Sequence, residues 1–83
     1  MRIQVEFDDE AMRQVEDLKQ LTGLKTYKDL FNNGIALLWW AANQRRNGRA
    51  IASVDEQQRE FKELQMPALE YAARSARSKE EVA

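Results

Sequence analysis

The chain begins with a strict alternation of polar and apolar residues. The two classes occupy opposite sides of an extended segment: Ile3, Val5 and Phe7 lie on one side, and Arg2, Gln4 and Glu6 lie on the other. Residues 2–7 are therefore predicted to form a β-strand. A lone strand has no partner within so short a unit, so it must pair with something, and a second copy of the chain is the simplest candidate.

The period changes to that of a helix directly after this segment. Apolar residues recur at helical spacing over residues 9–22, which predicts a first helix. The acidic run that starts at Asp8 suits the N-terminus of a helix, both as a cap and as a favourable charge. Gly23 suits the left-handed position that commonly follows the last helical turn.

A second helix is predicted from about Tyr27 to Asn47, with Thr26 as its N-cap and Gly48 as its end. Apolar residues cover more than half of its circumference: Leu30, Phe31, Ile35, Leu37, Leu38, Trp39, Trp40, Ala41 and Ala42. Such a helix is expected to be covered on two sides, by the first helix and by a partner. Gly34 has no side chain, so another helix is expected to approach closely there.

The C-terminal part of the chain predicts a β-hairpin and a short helix. Residues 51–54 and 61–65 read as two strands joined by a polar loop, and the hairpin is expected to pack on the second helix. Pro67 suits the first turn of a last helix that runs to about Ala73. The predicted organisation is a core at 1–48, the hairpin and short helix at 49–75, and a disordered tail at 76–83.

Composition narrows the possible functions. The 83 residues include no cysteine and no histidine, so the commonest nucleophiles, general bases and metal ligands are missing. We expect no enzymatic activity, no cofactor and no metal. No apolar run approaches the roughly 20 residues that span a membrane, and no signal peptide is recognised, so a soluble cytoplasmic protein is expected. With a formal net charge of −1, any nucleic-acid site must be local.

Two segments resemble the ribbon-helix-helix family, the class of the Arc and MetJ repressors. They are RIQVEFDDEA at residues 2–11 and TGLKTYKDLF at residues 22–31, and the likeness covers roughly the first 45 residues. The resemblance implies a mainly α fold, in which two chains form an intertwined homodimer with paired N-terminal strands. The C-terminal hairpin and short helix would extend that fold.

The resemblance also assigns roles to individual residues. The family reads base edges in the major groove with outward side chains of the strand, here Arg2, Gln4 and Glu6. Its phosphate anchor is the N-terminus of the second helix, here Lys25, Thr26, Tyr27 and Lys28. The expected core of the dimer consists of Ile3, Val5, Phe7, Leu30, Phe31, Gly34, Ile35 and Leu38.

Two functions follow from these patterns. The first is a sequence-specific transcriptional regulator, either a repressor or an antitoxin-like autoregulator, that binds operator double-stranded DNA as a homodimer. The alternative is a protein–protein interaction module on the same dimeric fold, with little DNA affinity and with a partner such as a toxin. Gln4 and the cap at Thr26 favour DNA binding, whereas Glu6 and the nearly neutral charge favour the alternative.

Overall fold

Three helices and one two-stranded sheet follow one another along the chain. A computed structural model describes the backbone of residues 1–82 and the side chains of residues 1–75. The order is α1 (Asp9–Thr22), α2 (Tyr27–Arg46), β1 (Ala52–Asp55), β2 (Glu60–Glu63) and α3 (Pro67–Val82). The chain divides into two compact units, Met1–Gly34 and Ile35–Ala83, and α2 runs through both.

The predicted N-terminal strand is not formed. Residues 1–8 have no regular secondary structure, and both strands of the described residues come after two helices. The predicted ribbon-helix-helix fold, which begins with an N-terminal strand, is therefore wrong. The physical reason is that a strand is held by hydrogen bonds to a neighbouring strand. The alternation of polar and apolar residues predicts which side chains share a face, but it does not provide a neighbouring strand.

The predicted helix caps are present. The side chain of Asp8 accepts a hydrogen bond of 2.7 Å from the backbone N–H of Ala11, and α1 begins at the next residue after Asp8. Gly23 ends α1 in the left-handed region, with φ of 74°. Thr26 Oγ1 accepts a hydrogen bond of 3.1 Å from the N–H of Asp29 in the first turn of α2. These contacts form between near neighbours in the chain, which is why the sequence could predict them.

The second helix ends one residue before its predicted C-terminus, at Arg46, and Gly48 follows with φ of 81°. Its apolar side chains are largely exposed, and Ala41 is its one buried residue. An added Cβ at Gly34 would meet no atom within 4 Å. The expected close approach of another helix at Gly34 is therefore not seen among the described residues.

The predicted hairpin is present, with slightly different bounds. Strands β1 and β2 pair antiparallel, and Val54 lies opposite Phe61. Asp55 Oδ1 accepts the N–H groups of Gln57 and Gln58, which closes the turn. The expectation that the hairpin buries its apolar residues on α2 is wrong, because Phe61 and Leu64 remain exposed. Strands of four residues each carry too few apolar side chains to cover a helix.

The last helix is longer than predicted, since α3 runs from Pro67 to Val82. Leu69 and Ala73 lie four residues apart on one helical face, and both are buried. The segment predicted as a disordered tail, 76–83, corresponds to the end of α3 and to Ala83. Ala83 and the side chains beyond residue 75 lie outside the described residues. Among the residues described, no helix is long and apolar enough to cross a membrane.

Candidate functional site

The N-terminal segment exposes both of its sets of side chains. The residues predicted to contact bases, Arg2, Gln4 and Glu6, are exposed. The residues predicted for the dimer core on the other side of the segment, Ile3, Val5 and Phe7, are exposed as well. The segment thus offers polar side chains for recognition and apolar side chains that nothing covers within unit 1–34.

The N-terminus of α2 has the local features of an anion anchor. Thr26 Oγ1 accepts a hydrogen bond from the backbone N–H of Asp29. The N–H groups of Tyr27 and Lys28 lie in the first turn of α2, where they have no acceptor within the helix. Lys25 and Lys28 flank this turn in sequence, and both are exposed. Free N–H groups, the helix dipole and two lysines together attract a phosphate.

Tyr27 is held against α1 by two residues that the sequence analysis did not identify. Its hydroxyl donates a hydrogen bond to Glu16 Oε1. On the ring, Lys19 Nζ lies 4.1 Å from the centroid, within the range of a cation–π contact. Glu16 and Lys19 are three residues apart on α1 and therefore share a face. That spacing was the available signal, but it does not reveal which later residue the pair meets.

The Glu16 carboxylate changes the chemistry of Tyr27. The hydrogen bond to Glu16 raises the pKa of the Tyr27 hydroxyl above its ordinary value of 10.0, with smaller contributions from desolvation and from the negative charge of Glu16. The contact holds a proton on Tyr27, so its stabilising effect is present below the unfolded pKa. It is lost as the pH rises through the raised folded value. At neutral pH the tyrosine is a donor already engaged by Glu16.

We predict that Glu16→Gln lowers the pKa of Tyr27 toward its ordinary value, because both the charge and the strong acceptor are removed. An ultraviolet absorbance titration in a Tyr71→Phe background, which leaves Tyr27 as the single tyrosine, measures this shift. Asp17→Asn, which removes a neighbouring charge that has no hydrogen bond to Tyr27, serves as the control. An unchanged Tyr27 titration in Glu16→Gln would show that the hydrogen bond does not persist in solution.

One stripe of α2 carries three of the predicted dimer-core residues. Phe31, Ile35 and Leu38 are spaced by four and three residues, and all three are exposed. Gly34 lies beside this stripe with open space around it. Leu30, on a neighbouring face, is partly buried. We call Phe31, Ile35 and Leu38 the α2 stripe.

The remaining faces of α2 are also apolar and exposed. Trp39 is 70% exposed, and Leu37 and Trp40 are more than half exposed. Both tryptophans belong to the helix that was expected to be covered on two sides, and neither is buried among the described residues. Only Ala41, Leu69 and Ala73 are buried among the hydrophobic residues whose side chains are described. Exposed apolar side chains in this number make α2 a candidate interaction surface.

A shallow cavity in unit 35–83 is lined by Arg45, Glu70, Ala73 and Arg74. Arg74 Nη2 lies 3.8 Å from a carboxylate oxygen of Glu70. Arg45 Nη1 lies 3.7 Å from Glu63. Each guanidinium thus faces a carboxylate of its own chain, and the cavity has no excess positive charge with which to attract an anion.

No family model, no curated protein and no solved structure matches this chain. Functional assignment therefore rests on the residues and the surfaces described above.

Proposed function

We propose that this protein is a DNA-binding transcriptional regulator, a repressor or an antitoxin-like autoregulator, that acts as a homodimer in the cytoplasm. The proposal does not require a ribbon of paired N-terminal strands. It requires a phosphate anchor, side chains that distinguish bases, and a surface through which two chains associate. The dimer bound to the DNA would then block access to the operator.

The N-terminus of α2 is the observation that supports DNA binding most directly. Thr26 caps the helix, and the first-turn N–H groups point out of the helix end between the exposed residues Lys25 and Lys28. Phosphate contacts position a protein on the duplex without reading its sequence. Lys19 adds a third cation next to this helix start through its contact with Tyr27. Its three lysines, Lys19, Lys25 and Lys28, outnumber the two carboxylates at the same helix start, Glu16 and Asp29, so the cluster has a local charge of +1 in a chain whose net charge is −1.

Sequence discrimination would come from the polar side chains of the N-terminal segment. Gln4 can make two hydrogen bonds to adenine, and Arg2 can make two to guanine in the major groove. Both side chains are exposed. Among the bases, the Glu6 carboxylate can accept a hydrogen bond only from cytosine. Its negative charge repels the phosphates, so we expect Glu6 to weaken binding to DNA of any sequence.

Self-association is supported by the α2 stripe. Its three apolar side chains, Phe31, Ile35 and Leu38, are exposed within a chain that buries few others. An amphipathic helix contributes to stability chiefly by burying its apolar face. A second copy of α2 presents the same stripe, so the two surfaces match by symmetry.

We predict that Gln4→Ala weakens binding to the specific operator by about 1–3 kcal/mol and changes binding to random DNA little, because the amide reads one base pair. Lys28→Ala should weaken binding to both DNAs alike and should reduce the salt slope by about one, because it loses a phosphate contact. Binding titrations measure both effects. They use DNA from upstream of the protein's own gene and a random duplex, each at two salt concentrations.

Glu6→Gln is predicted to tighten binding to both DNAs, because the substitution removes a negative charge that lies near the phosphates. Glu60→Gln makes the same charge change on the hairpin and serves as the matched control. A loss of specificity at one base pair in Glu6→Gln would instead show that the carboxylate reads cytosine. Wild-type protein that binds operator and random DNA equally weakly at moderate salt would contradict the proposed function.

A protein–protein interaction module is the second candidate, and a specific observation favours it. Trp39 and Leu37 are exposed on α2 and are not among the three residues of the α2 stripe, so a dimer joined through those three side chains does not account for them. Tryptophan is among the residues that most often dominate binding energy at protein interfaces. This candidate predicts that Gln4→Ala and Lys28→Ala leave partner binding unchanged, whereas Trp39→Ala weakens it.

A further inference from the structure

The hydroxyl of Tyr27 has a single proton, and that proton is already engaged. It is donated to Glu16 Oε1. A phosphate of the DNA backbone is ionised and can only accept hydrogen bonds, whereas a tyrosine hydroxyl has one hydrogen to donate. While the bond to Glu16 persists, the Tyr27 hydroxyl therefore has no hydrogen for a phosphate, although the resemblance assigned Tyr27 to the phosphate contacts.

The ring of Tyr27 has a separate role, because it holds a cation. Lys19 Nζ lies 4.1 Å from the ring centroid. Lys19 is half-buried, whereas Lys25 and Lys28 are exposed. Among the residues whose side chains are described, Lys19 forms no ion pair with a carboxylate. Its ammonium group has three N–H donors, and the contact with the ring is electrostatic, so donors remain for an acceptor.

The Lys19–Tyr27 contact places the ammonium group at the start of α2, since Tyr27 is the first residue of that helix. The charge balance there depends on Lys19. Three lysines face two carboxylates, Glu16 and Asp29, so removal of Lys19 lowers the local charge from +1 to zero. An anion is attracted to this helix start only while the lysine is present in excess of the carboxylates.

We propose that Tyr27 is a positioning residue that holds Lys19 beside the N-terminus of α2 as a phosphate contact, and that the Tyr27 hydroxyl does not touch DNA. The proposal rests on the proposed function and deepens its phosphate anchor. Glu16 fixes the ring through the hydroxyl, and the ring restrains the lysine. A lysine side chain loses much rotamer freedom when it is ordered, so a lysine that is ordered before binding loses less on contact with a phosphate.

A double-variant cycle tests whether Tyr27 acts through Lys19. Lys19→Ala should weaken binding to operator and to random duplex alike, by about three- to tenfold, and should lower the salt slope by about one. Tyr27→Leu, which removes both the ring and the hydroxyl, should weaken binding about two- to fivefold, as expected for a cation–π contact at an exposed site. The double variant should bind no more weakly than Lys19→Ala, because no cation remains for the ring to position.

Two variants on other elements serve as matched controls. Lys62→Ala removes one positive charge from the hairpin. Tyr71→Leu removes a ring on α3 whose centroid lies 5.5 Å from Arg74 Cζ. Neither residue belongs to the start of α2, so both variants should bind DNA nearly as the wild type does. Circular dichroism checks that every variant remains folded.

A measurement without DNA separates this proposal from the proposed function. In the nuclear magnetic resonance spectrum, the ring of Tyr27 should shift the ε-methylene protons of Lys19 upfield, and Tyr27→Leu should abolish that shift. A wild-type spectrum without the shift would overturn the positioning role, whether or not the protein binds DNA. If the wild type shows the shift and binds DNA, the proposal alone fails when Lys19→Ala has no effect or when the losses of the two single variants multiply. Wild-type protein that binds no DNA would overturn the proposed function, and the phosphate contact of Lys19 with it.

Discussion

Leu69→Ala lowers the free energy of unfolding by about 2–5 kcal/mol, the usual cost of removing a fully buried leucine side chain. Leu69 is 1% exposed, the lowest value among the buried hydrophobic residues of the described chain. Its buried companions, Ala41 and Ala73, are small, so they cannot fill the cavity that the substitution leaves. Because a small domain has little stability to spare, we expect the variant to lose much of the structure of unit 35–83.

Leu64→Ala is the matched control for this prediction, because it makes the same substitution at a side chain that is 48% exposed. Denaturant unfolding followed by circular dichroism compares the two variants with wild type. Leu64→Ala should change the midpoint far less than Leu69→Ala. Equal losses in the two variants would mean that Leu69 does not form the core of the folded protein.

Phe31→Asp is expected to convert the proposed homodimer into monomers at the α2 interface. Phe31 is 58% exposed in the single chain and lies on the α2 stripe. In a symmetric interface each copy would bury this side chain, and the variant would bury two unpaired carboxylates instead. Burial of an unpaired charge costs several kcal/mol, which exceeds the contribution of any single apolar contact.

Light scattering at micromolar concentration measures the mass directly. Asn33→Asp adds the same charge two residues away, on the opposite side of α2, and it should leave the α2 interface intact. A wild-type unfolding midpoint that rises with protein concentration would support association. Wild-type protein that is monomeric at every concentration would contradict the homodimer and with it the proposed regulator.

The sequence determined the local elements of this protein. The bounds of α1, its cap at Asp8, the left-handed Gly23 and the cap of α2 at Thr26 follow from contacts between residues within a few positions of each other. The hairpin was also predictable, because its strands are joined by a short turn that Asp55 stabilises. Propensity and spacing contain this information without reference to any distant residue.

The placement of Tyr27 was not predictable in the same way. The sequence identified it as a residue at the start of a helix that could contact phosphate. The folded chain brings it to Glu16 and Lys19, which raises its pKa and engages its hydroxyl. The angle at which two helices meet depends on the turn between them and on long-range packing, and neither is encoded in the periodicity of one helix.

Only the tertiary structure decided which surfaces the apolar and extended segments contact. Alternation in residues 2–7 predicted a strand with two distinct sides, yet no strand forms there, because pairing requires a neighbour that the pattern does not specify. The hairpin likewise leaves Phe61 exposed where a cover on α2 was expected. Hydrophobic patterns state which side chains gain from burial, whereas the surface that buries them depends on packing between distant parts of a chain or between chains.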